Sequence, residues 1–295
     1  MDLSAVIALG PEQVRAVLPG FLASHITDPV ANSRAEKDIL DLTTGWSEEE
    51  ITALLQSLKE VGEDQRVYSA HPLARELSRV WAAPLLTHIE VNGLQYLQEA
   101  AKAGPTAILC NHTSYMDSSA IDTMLAGAGA ASLANRVLSA AGPKVYSTLF
   151  RRFAAMCLNT LPVPQSTSLG HTARMSPREL ARLALSSMKL AHKSMSEGHI
   201  LLIFPEGSRT RTGRLQPFLQ GVYRYLALDG LNVVPAALVG CNEIMDMETE
   251  RCVPGSVSLT FGPALPVHSR SDAKEVFNSA FEAISDILPE RMRPF

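Results

Sequence analysis

Short apolar runs that alternate with helical segments constrain the fold of this chain more than any other feature. From about Pro72 onward, the runs LTHIEVNG, TAILC, HILLIF, NVVPAALVG and SVSLTFG read as strands. Helical patterns separate them along the chain. Parallel strands need such crossover helices, which then cover the faces of the sheet. The pattern therefore predicts an α/β fold with a mostly parallel or mixed sheet covered by helices.

The clearest helix lies in SPRELARLALSSMKLAHKSMSEG, directly before HILLIF. Ser176 is placed to cap it, with Pro177 in the first turn and Glu179 completing a capping box. Apolar residues then recur at helical spacing until Gly198 ends the segment. This stretch predicts one long helix that leads directly into a buried strand.

The segment before Pro72 shows helical patterns and no strand candidate. In GWSEEEITALLQSLKEVG, Ser47 and Glu50 suit a capping box and Gly62 stops the pattern. In PEQVRAVLPGFLASHI, Pro19 predicts that the helix bends or splits. We therefore predict a small all-helical N-terminal domain over residues 1–72 and an α/β domain over residues 73–295.

Composition excludes several classes of protein. The chain is 46% apolar, has a formal net charge of −4 and lacks a long basic run, so nucleic acid is not an expected partner. The cysteines show no metal-ligand spacing, which predicts reduced, mostly buried thiols and no metal site; they are Cys110, Cys157, Cys241 and Cys252. No signal peptide pattern is present, and no window reaches the roughly 18 apolar residues of a membrane span. We expect a cytoplasmic protein, either soluble or peripheral at the inner membrane face.

A histidine and an aspartate follow the predicted strand TAILC, in the stretch LCNHTSYMDSS. His112 lies just beyond the carboxyl end of that strand, which is where open α/β sheets bind ligands. On one continuous helix, the step from His112 to Asp117 would separate the side chains by about 140°, so they meet only at a loop-to-helix junction. Asp117 would then orient the imidazole and leave its other nitrogen basic. A structural, hydrogen-bonded histidine is the alternative interpretation.

An arginine cluster follows a second predicted strand, in LLIFPEGSRTRTGRLQPF. Pro205 ends the strand and Gly207 permits a tight loop. Arg209, Arg211 and Arg214 come next, and guanidinium groups suit the oxygens of a phosphate. The segment is either a phosphate-binding loop or a solvated basic loop, and it lacks the GxxxxGK[ST] pattern of a P-loop.

Together, the two motifs resemble those of the glycerol-3-phosphate and lysophosphatidate acyltransferase family. Members of that family show NHxxxxD and then a segment of the [FV]PEGTRSR type, and this chain has NHTSYMD followed about 90 residues later by FPEGSRTR. The segments IEVNGLQYL and LQPFLQGVYRYLALDGLNVVPAALVG extend the resemblance over roughly residues 85 to 245.

The resemblance implies an O-acyltransferase of phospholipid synthesis that needs no cofactor. A fatty acyl group would move from acyl-CoA or acyl carrier protein to a hydroxyl of a glycerol-3-phosphate or lysophosphatidate acceptor, by direct attack on the thioester. By position, His112 corresponds to the general base and Asp117 to its orienting carboxylate. Backbone amides after His112 would stabilise the developing oxyanion. The substrate-binding candidates are Glu206, Gly207, Ser208, Arg209, Arg136 and Arg211.

The chain departs from the family pattern in its middle segment. Many members carry an arginine or lysine there, whereas AAMCLNTLPVPQS has Pro164 and Gln165 at about that place. Either the acceptor lacks a phosphate, as a lipoamino acid or a secondary metabolite would, or other cations contact the phosphate. The cations available are Arg136, Lys144, Arg151 and Arg152.

Two further alternatives stay open from the sequence. A catalytically silent lipid- or carrier-binding protein would keep the fold without the reaction, and a hydrolase would use water as the acceptor. The stretch STLFRRFAAMCL is either a core helix with two solvated arginines or a patch that contacts anionic lipid.

Overall fold

The computed structural model describes residues 6, 8–62, 64–164 and 175–294 of the chain. Its α-helices are α1 (Pro11–Ala23), α2 (Pro29–Thr44), α3 (Glu48–Glu60), α4 (Pro72–Ala82), α5 (Leu94–Ala103), α6 (Asp117–Gly127), α7 (Ala131–Ala134), α8 (Leu149–Met156), α9 (Pro177–Ser196), α10 (Cys241–Ile244) and α11 (Ala273–Ile287). Short 3₁₀ helices cover Pro143–Tyr146, Gln220–Leu226, Arg270–Asp272 and Glu290–Met292.

Eight strands form one sheet at the centre of the structure. They are β1 (Leu86–Asn92), β2 (Thr106–Cys110), β3 (Val137–Ala141), β4 (Asn159–Pro162), β5 (Ile200–Ile203), β6 (Leu231–Val239), β7 (Gly255–Phe261) and β8 (Leu265–Val267). Their order across the sheet is β1-β7-β6-β2-β5-β3-β4, and β8 also pairs with β6. The predicted α/β architecture is confirmed.

The sheet is mixed, and its parallel part carries the loops that matter for function. Strands β6, β2, β5, β3 and β4 run parallel to one another, whereas β7 and β8 pair with β6 in the antiparallel sense. The loops that follow β2, β3, β4 and β5 therefore leave the sheet at the same edge. In open α/β sheets, this edge is where ligands bind.

The central strands are buried on both faces, which explains their apolar sequences. On β2, Ile108 and Cys110 belong to one apolar core, whereas Ala107 and Leu109 belong to the other. We call the side with Ile108 the first face. Helices α1 to α8 pack their buried residues on the first face, and α9 and α11 pack theirs on the second.

The N-terminal helices are present as predicted, and their buried residues join the core of the first face. The indole nitrogen of Trp81 on α4 donates a hydrogen bond to the carbonyl of Leu22 on α1, at 2.9 Å. Arg79 on α4 makes a bidentate ion pair with the buried Asp122 on α6, at 2.7 and 3.1 Å. These contacts join the helical segment to the helix that follows the NHTSYMD motif. The boundary between residues 1–72 and 73–295 stays a prediction.

Local sequence signals explain where the main helices begin. Ser47 caps α3 and Ser176 caps α9, and each forms the predicted capping box with a glutamate. Helix α1 is not split at Pro19, because a single helix runs from Pro11 to Ala23. The buried residues on either side of the proline, Val14 and Leu22, hold both halves of this helix against the core.

The STLFRRFAAMCL stretch forms helix α8, and its side chains turn toward the protein. Phe153 is buried, and the ring of Phe150 stacks on His25 with centroids 3.8 Å apart. Arg151 pairs with Glu250, and Arg152 donates to the carbonyl of Leu58. This packing agrees with the core-helix interpretation, although both arginines are partly buried and not fully solvated. Contact of this helix with anionic lipid stays a prediction. Within the described parts of the chain, we find no helix long and apolar enough to span a membrane.

All four cysteines are free and buried, as predicted. Burial raises the pKa of each thiol, so none favours the thiolate near neutral pH; the residues are Cys110, Cys157, Cys241 and Cys252.

Candidate active site

The candidate site begins where β2 ends. Asn111 follows the last strand residue, and its side-chain amide continues the sheet ladder toward β6. Its Nδ2 donates to the carbonyl of Leu238 and its Oδ1 accepts from the Leu238 amide, both at 2.8 Å. This reciprocal pair fixes the backbone immediately before His112.

His112 and Asp117 meet as the loop-to-helix interpretation requires. His112 lies in the loop, Asp117 is the first residue of α6, and the imidazole Nδ1 lies 2.8 Å from the carboxylate Oδ2. The Asp117 side chain is fully buried. A buried carboxylate acts as an acceptor, so Nδ1 carries the proton in the neutral imidazole and Nε2 keeps a lone pair.

Asp117 also organises the loop between the two residues. Its Oδ2 accepts from the backbone amides of Thr113 and Ser114, at 2.7 and 3.0 Å, and its Oδ1 accepts from the Thr113 hydroxyl at 3.2 Å. These hydrogen bonds offset the cost of burying the charge. The two amides hold the carboxylate, so they do not serve the oxyanion-stabilising role that the sequence assigns to amides of this segment.

Glu206 holds the same loop from the opposite side. Its Oε1 accepts from the His112 amide at 2.6 Å, and its Oε2 accepts from the Gln216 amide at 2.8 Å. The Thr210 amide donates in turn to the His112 carbonyl at 2.9 Å, which joins the NHTSYMD and PEGSRTR loops. The Glu206 side chain thus holds backbone amides of both loops, and its predicted role in placing the acceptor stays a prediction.

Burial is the main influence on the pKa of the Glu206 carboxyl group. Only 6% of the residue is exposed, and this desolvation raises the pKa of its carboxyl group to about 7. The two amide donors lower the pKa, and nearby Asp117 raises it. The carboxyl group therefore titrates near neutral pH in the folded protein.

The imidazole of His112 opens into a cleft of about 990 Å³. Its face stacks on Phe204 with centroids 4.3 Å apart, and 18% of the side chain is exposed. The cleft surrounds the sheet edge beyond β2, β3, β4 and β5, and apolar side chains contribute much of its wall. Its cationic residues are Lys144, Arg209 and Arg211.

The loop after β5 brings several predicted substrate-binding residues to this cleft. Gly207, Ser208, Arg209 and Arg211 all line it. Gly207 has φ of +71°, and a Cβ atom there would lie 2.1 Å from a methyl carbon of Leu219. Both the backbone conformation and the close approach of Leu219 therefore favour glycine at this position.

Tyr115 connects the two motifs in a way that the sequence does not predict. The guanidinium of Arg209 lies 3.5 Å from the Tyr115 ring centroid, and that of Arg151 lies 4.1 Å from it. The Arg209 guanidinium also donates to the carbonyl of Met247 at 3.3 Å, and Arg151 pairs with Glu250. Tyr115 itself lines the cleft. The ring therefore fixes the position of Arg209 close to His112.

The structure does not bring Arg136 to the cleft. Arg136 precedes β3, at the opposite edge of the sheet, and its Nε donates to the carbonyl of Gly198 at 2.6 Å. Lys144 follows β3 and lines the cleft instead. Pro164 lines it at the position where the family pattern has a basic residue, and Gln165 lies outside the described residues.

Comparisons with known proteins identify acyltransferases among the relatives of this chain. The chain is 27% identical over 216 residues to the chloroplastic 1-acyl-sn-glycerol-3-phosphate acyltransferase LPAT1 of Arabidopsis thaliana, covering 72% of this chain and 53% of that protein. It is 29% identical over 112 residues to a 1-acyl-sn-glycerol-3-phosphate acyltransferase of Chlamydomonas reinhardtii, covering 38% and 33%. It is also 38% identical over 77 residues to the chloroplastic 1-acyl-sn-glycerol-3-phosphate acyltransferase BAT2 of Brassica napus. That match covers 26% of this chain and 21% of that protein. The matches thus span roughly a fifth to a half of these relatives.

A solved structure and a family profile complete the comparison. The crystal structure of the 1-acyl-sn-glycerophosphate acyltransferase PlsC from Thermotoga maritima aligns with a TM-score of 0.49 over 93% of this chain and 97% of that chain, at 14% identity. The profile described as Acyltransferase matches residues 88–239. This range is more than half of the 295 residues, and it contains both motifs. The chain therefore belongs to the acyltransferase family.

Proposed function

We propose that this protein transfers a fatty acyl group from a thioester to the free hydroxyl of 1-acyl-sn-glycerol-3-phosphate. The acyl donor is a thioester of CoA or of acyl carrier protein. Glycerol-3-phosphate is the alternative phosphate-bearing acceptor, to be compared with 1-acyl-sn-glycerol-3-phosphate. Family membership and the names of the plant and algal relatives support this choice of acceptor. The reaction needs no cofactor, because proton transfer and direct attack are sufficient.

The proposed mechanism uses His112 as a general base. With Nδ1 donating to Asp117 at 2.8 Å, Nε2 accepts the proton of the acceptor hydroxyl as its oxygen attacks the thioester carbonyl. The new C–O bond forms, the C–S bond breaks, and the imidazolium returns the proton to the leaving thiolate. The two substrates react in one ternary complex, without an acyl-enzyme intermediate.

Cations in the same cleft support a phosphate-bearing acceptor. Arg209, Arg211 and Lys144 line the cleft that His112 enters. Tyr115 holds the Arg209 guanidinium by ring stacking, so less conformational entropy is lost when Arg209 binds an anion. We propose that Arg209 binds the phosphate and that Arg211 and Lys144 add positive charge. Gly207 and Ser208 shape the loop beside it.

One observation favours a second candidate, an acceptor without phosphate. At the place where the family pattern has a basic residue, Val163 and Pro164 line the cleft. These apolar side chains leave the phosphate with fewer cations than the family pattern supplies. A lipoamino acid or another uncharged alcohol would then be the acceptor.

The presence of His112 and Arg209 in one cleft is the observation that carries the proposal. To test it, purified protein is offered acyl-CoA and acyl carrier protein donors with 1-acyl-sn-glycerol-3-phosphate, glycerol-3-phosphate, or the phosphate-free monoacylglycerol, and products are identified by mass spectrometry. We expect the diacyl phosphate product. Acylation of monoacylglycerol at the same rate would favour the second candidate. Release of free fatty acid without an acceptor would indicate a hydrolase, and no reaction with any pair would refute the enzyme proposal.

A charge-removing variant separates phosphate recognition from chemistry. We expect Arg209→Gln to raise the KM for the phosphate-bearing acceptor about tenfold or more, because a charge-assisted hydrogen bond is lost. The KM for the thioester donor serves as the internal comparison and is expected to change little. Equal effects on both KM values would argue against a specific phosphate contact.

A lipid acceptor also implies contact with a membrane surface. We propose that the protein works in the cytoplasm and meets its acceptor at the inner membrane face as a peripheral protein. Binding to vesicles of phosphatidylglycerol and phosphatidylcholine, measured by sedimentation, tests this contact. Failure to bind vesicles that contain the acceptor would exclude it.

A further inference from the structure

Two buried hydroxyl groups in the cleft wall have no hydrogen-bond partner among the residues that the structure describes. They are Ser139 Oγ on β3 and Thr160 Oγ1 on β4. Ser139 is 4% exposed and Thr160 is 2% exposed, and both residues line the cleft. Buried hydroxyls are normally paired, because leaving one without a partner costs free energy.

The strand register places these hydroxyls side by side. Ser139 pairs directly with Thr160 in the parallel β3–β4 ladder. Neighbouring strands lie about 4.8 Å apart, so one ligand group can reach both hydroxyls. Side chains alternate along a strand, and Val137 and Ala141 belong to the core of the first face. Ser139 therefore points to the first face, beneath helix α8.

Apolar residues contribute to the cleft wall beside the pair. Ala141, Ala155 and Leu158 line the same part of the cleft. We call the part bounded by Ser139, Ala141, Ala155, Leu158 and Thr160 the inner arm. The apolar side chains of the inner arm offer no hydrogen-bond acceptor to either hydroxyl.

The inner arm lies deep relative to His112. Ser139 pairs with Leu202, and Leu202 pairs with Ile108, four residues before His112. At strand spacings, Ser139 is about 13 Å below His112 along the strands and about 10 Å away across the sheet. A group bound by the hydroxyl pair is therefore remote from the reacting atoms.

We propose that the inner arm binds an acyl chain that carries a hydroxyl group in its distal part, and that Ser139 and Thr160 form hydrogen bonds with that oxygen. This inference rests on the proposed acyltransferase function. Apolar walls suit the methylene groups, and the paired hydroxyls select for the oxygen substituent because an unsubstituted chain would leave them buried and unpaired. The chain is that of the thioester donor or that of the lipid acceptor.

The test uses binding first, because binding does not depend on turnover. Octadecanoate and a mid-chain hydroxyoctadecanoate compete with a fluorescent fatty acid on the wild-type protein and on the Ser139→Ala, Thr160→Val double variant. These substitutions keep the side-chain volumes close to those of the wild type. A control removes a buried hydroxyl outside the cleft by Thr43→Val.

We expect the wild type to bind the hydroxylated acid about tenfold more tightly than the plain acid, which is the order expected for one or two hydrogen bonds. The double variant is expected to lose this preference and the control to keep it. Equal binding of the two acids by the wild type, or an unchanged preference in the double variant, would overturn the inference. An ordered water would then be the hydrogen-bond partner of the two hydroxyls.

Turnover then identifies which chain carries the hydroxyl. One arm compares hydroxyoctadecanoyl-CoA with octadecanoyl-CoA as the donor, and the other compares the corresponding 1-acyl-sn-glycerol-3-phosphates as the acceptor. A preference in kcat/KM that disappears in the double variant assigns the inner arm to that substrate. If the protein binds the hydroxylated acid selectively but turns over no pair of donor and acceptor, the inner-arm inference is supported and the proposed function is refuted. Failure of the inference and failure of the proposed function therefore give different results.

Discussion

At the scale of single residues, two buried carboxylates hold one loop from opposite sides. Asp117 accepts from the imidazole and from the amides of Thr113 and Ser114. Glu206 accepts from the amide of His112 itself. The histidine is thus fixed at its side chain and at its backbone. Such fixation keeps Nε2 directed into the cleft without relying on the substrate.

Glu206 predicts a pH dependence of stability. Its carboxyl pKa is raised from 4.5 to about 7 in the folded protein, and a raised carboxyl pKa favours folding at low pH. This contribution is complete below about pH 4.5 and is lost as the pH rises through 7. We expect the unfolding free energy of the wild type, relative to Glu206→Gln, to fall by about 2–3 kcal/mol between pH 4.5 and pH 8.

Urea unfolding at several pH values measures this difference. Glu90→Gln, which changes an exposed glutamate on β1, is the control and is expected to show little pH dependence relative to the wild type. A difference between the wild type and Glu206→Gln that stays constant or grows with pH would contradict the assigned direction of the pKa shift.

At the scale of elements, the sequence predicts the strands whose residues are strongly apolar and misses those built from small residues. Strands β1, β2, β5, β6 and β7 follow from their sequences. The short strand β8 is missed, and so are β3, which reads VLSAA, and β4, which reads NTLP. Alanine, serine, asparagine and proline carry little strand preference, so pairing with β5 and the cover of α8 decide these strands instead. The inner arm lies between these same strands and α8.

Tyr115 carries a prediction at the element scale, since it joins the loop after β2 to the loop after β5. We expect Tyr115→Leu to raise the KM for the phosphate-bearing acceptor about tenfold, because Arg209 loses the ring that positions it. The kcat is expected to change less. Steady-state kinetics with varied acceptor measures the effect.

The conservative variant supplies the control. Tyr115→Phe keeps the aromatic face and is expected to retain an acceptor KM within about twofold of the wild type, because the stacking needs the ring and not the hydroxyl. If Tyr115→Phe and Tyr115→Leu raise KM equally, the ring is not the platform for Arg209.

At the scale of the whole molecule, one apolar core connects the N-terminal helices with the first face of the sheet. Leu22 is 1% exposed on α1, and its carbonyl accepts from Trp81. We therefore expect residues 1–72 and the sheet to unfold in one cooperative transition. Leu22→Ala should lower the unfolding free energy by about 3 kcal/mol through loss of buried apolar contact.

Two probes distinguish this outcome from separate unfolding of a helical domain. Tryptophan fluorescence reports on Trp46 and Trp81, and far-ultraviolet circular dichroism reports on the whole chain. Both transitions should coincide and shift together in Leu22→Ala. Leu40→Ala, at an exposed position on α2, is the control and should shift neither by more than about 0.5 kcal/mol. Two transitions, with only one moved by Leu22→Ala, would contradict a shared core.

The site as a whole was predictable in its motifs but not in its tertiary contacts. Spacing indicated that His112 and Asp117 could meet only at a loop-to-helix junction, and the structure places them at one, 2.8 Å apart. Whether Arg136 reaches the cleft depends on which end of β3 it occupies. Because β3 was not predicted from the sequence, this end could not be identified. The stacking of Arg151 and Arg209 on Tyr115 joins three distant segments, which no local pattern encodes.

Turnover by a histidine variant tests the central claim most directly. His112→Ala is compared with His88→Ala, which removes an exposed histidine from β1, with the thioester donor and 1-acyl-sn-glycerol-3-phosphate as substrates. We predict that His112→Ala lowers kcat by about 10²–10⁴-fold while its circular dichroism spectrum stays that of the wild type, and that His88→Ala keeps full activity. A folded His112→Ala protein with wild-type kcat would contradict the account.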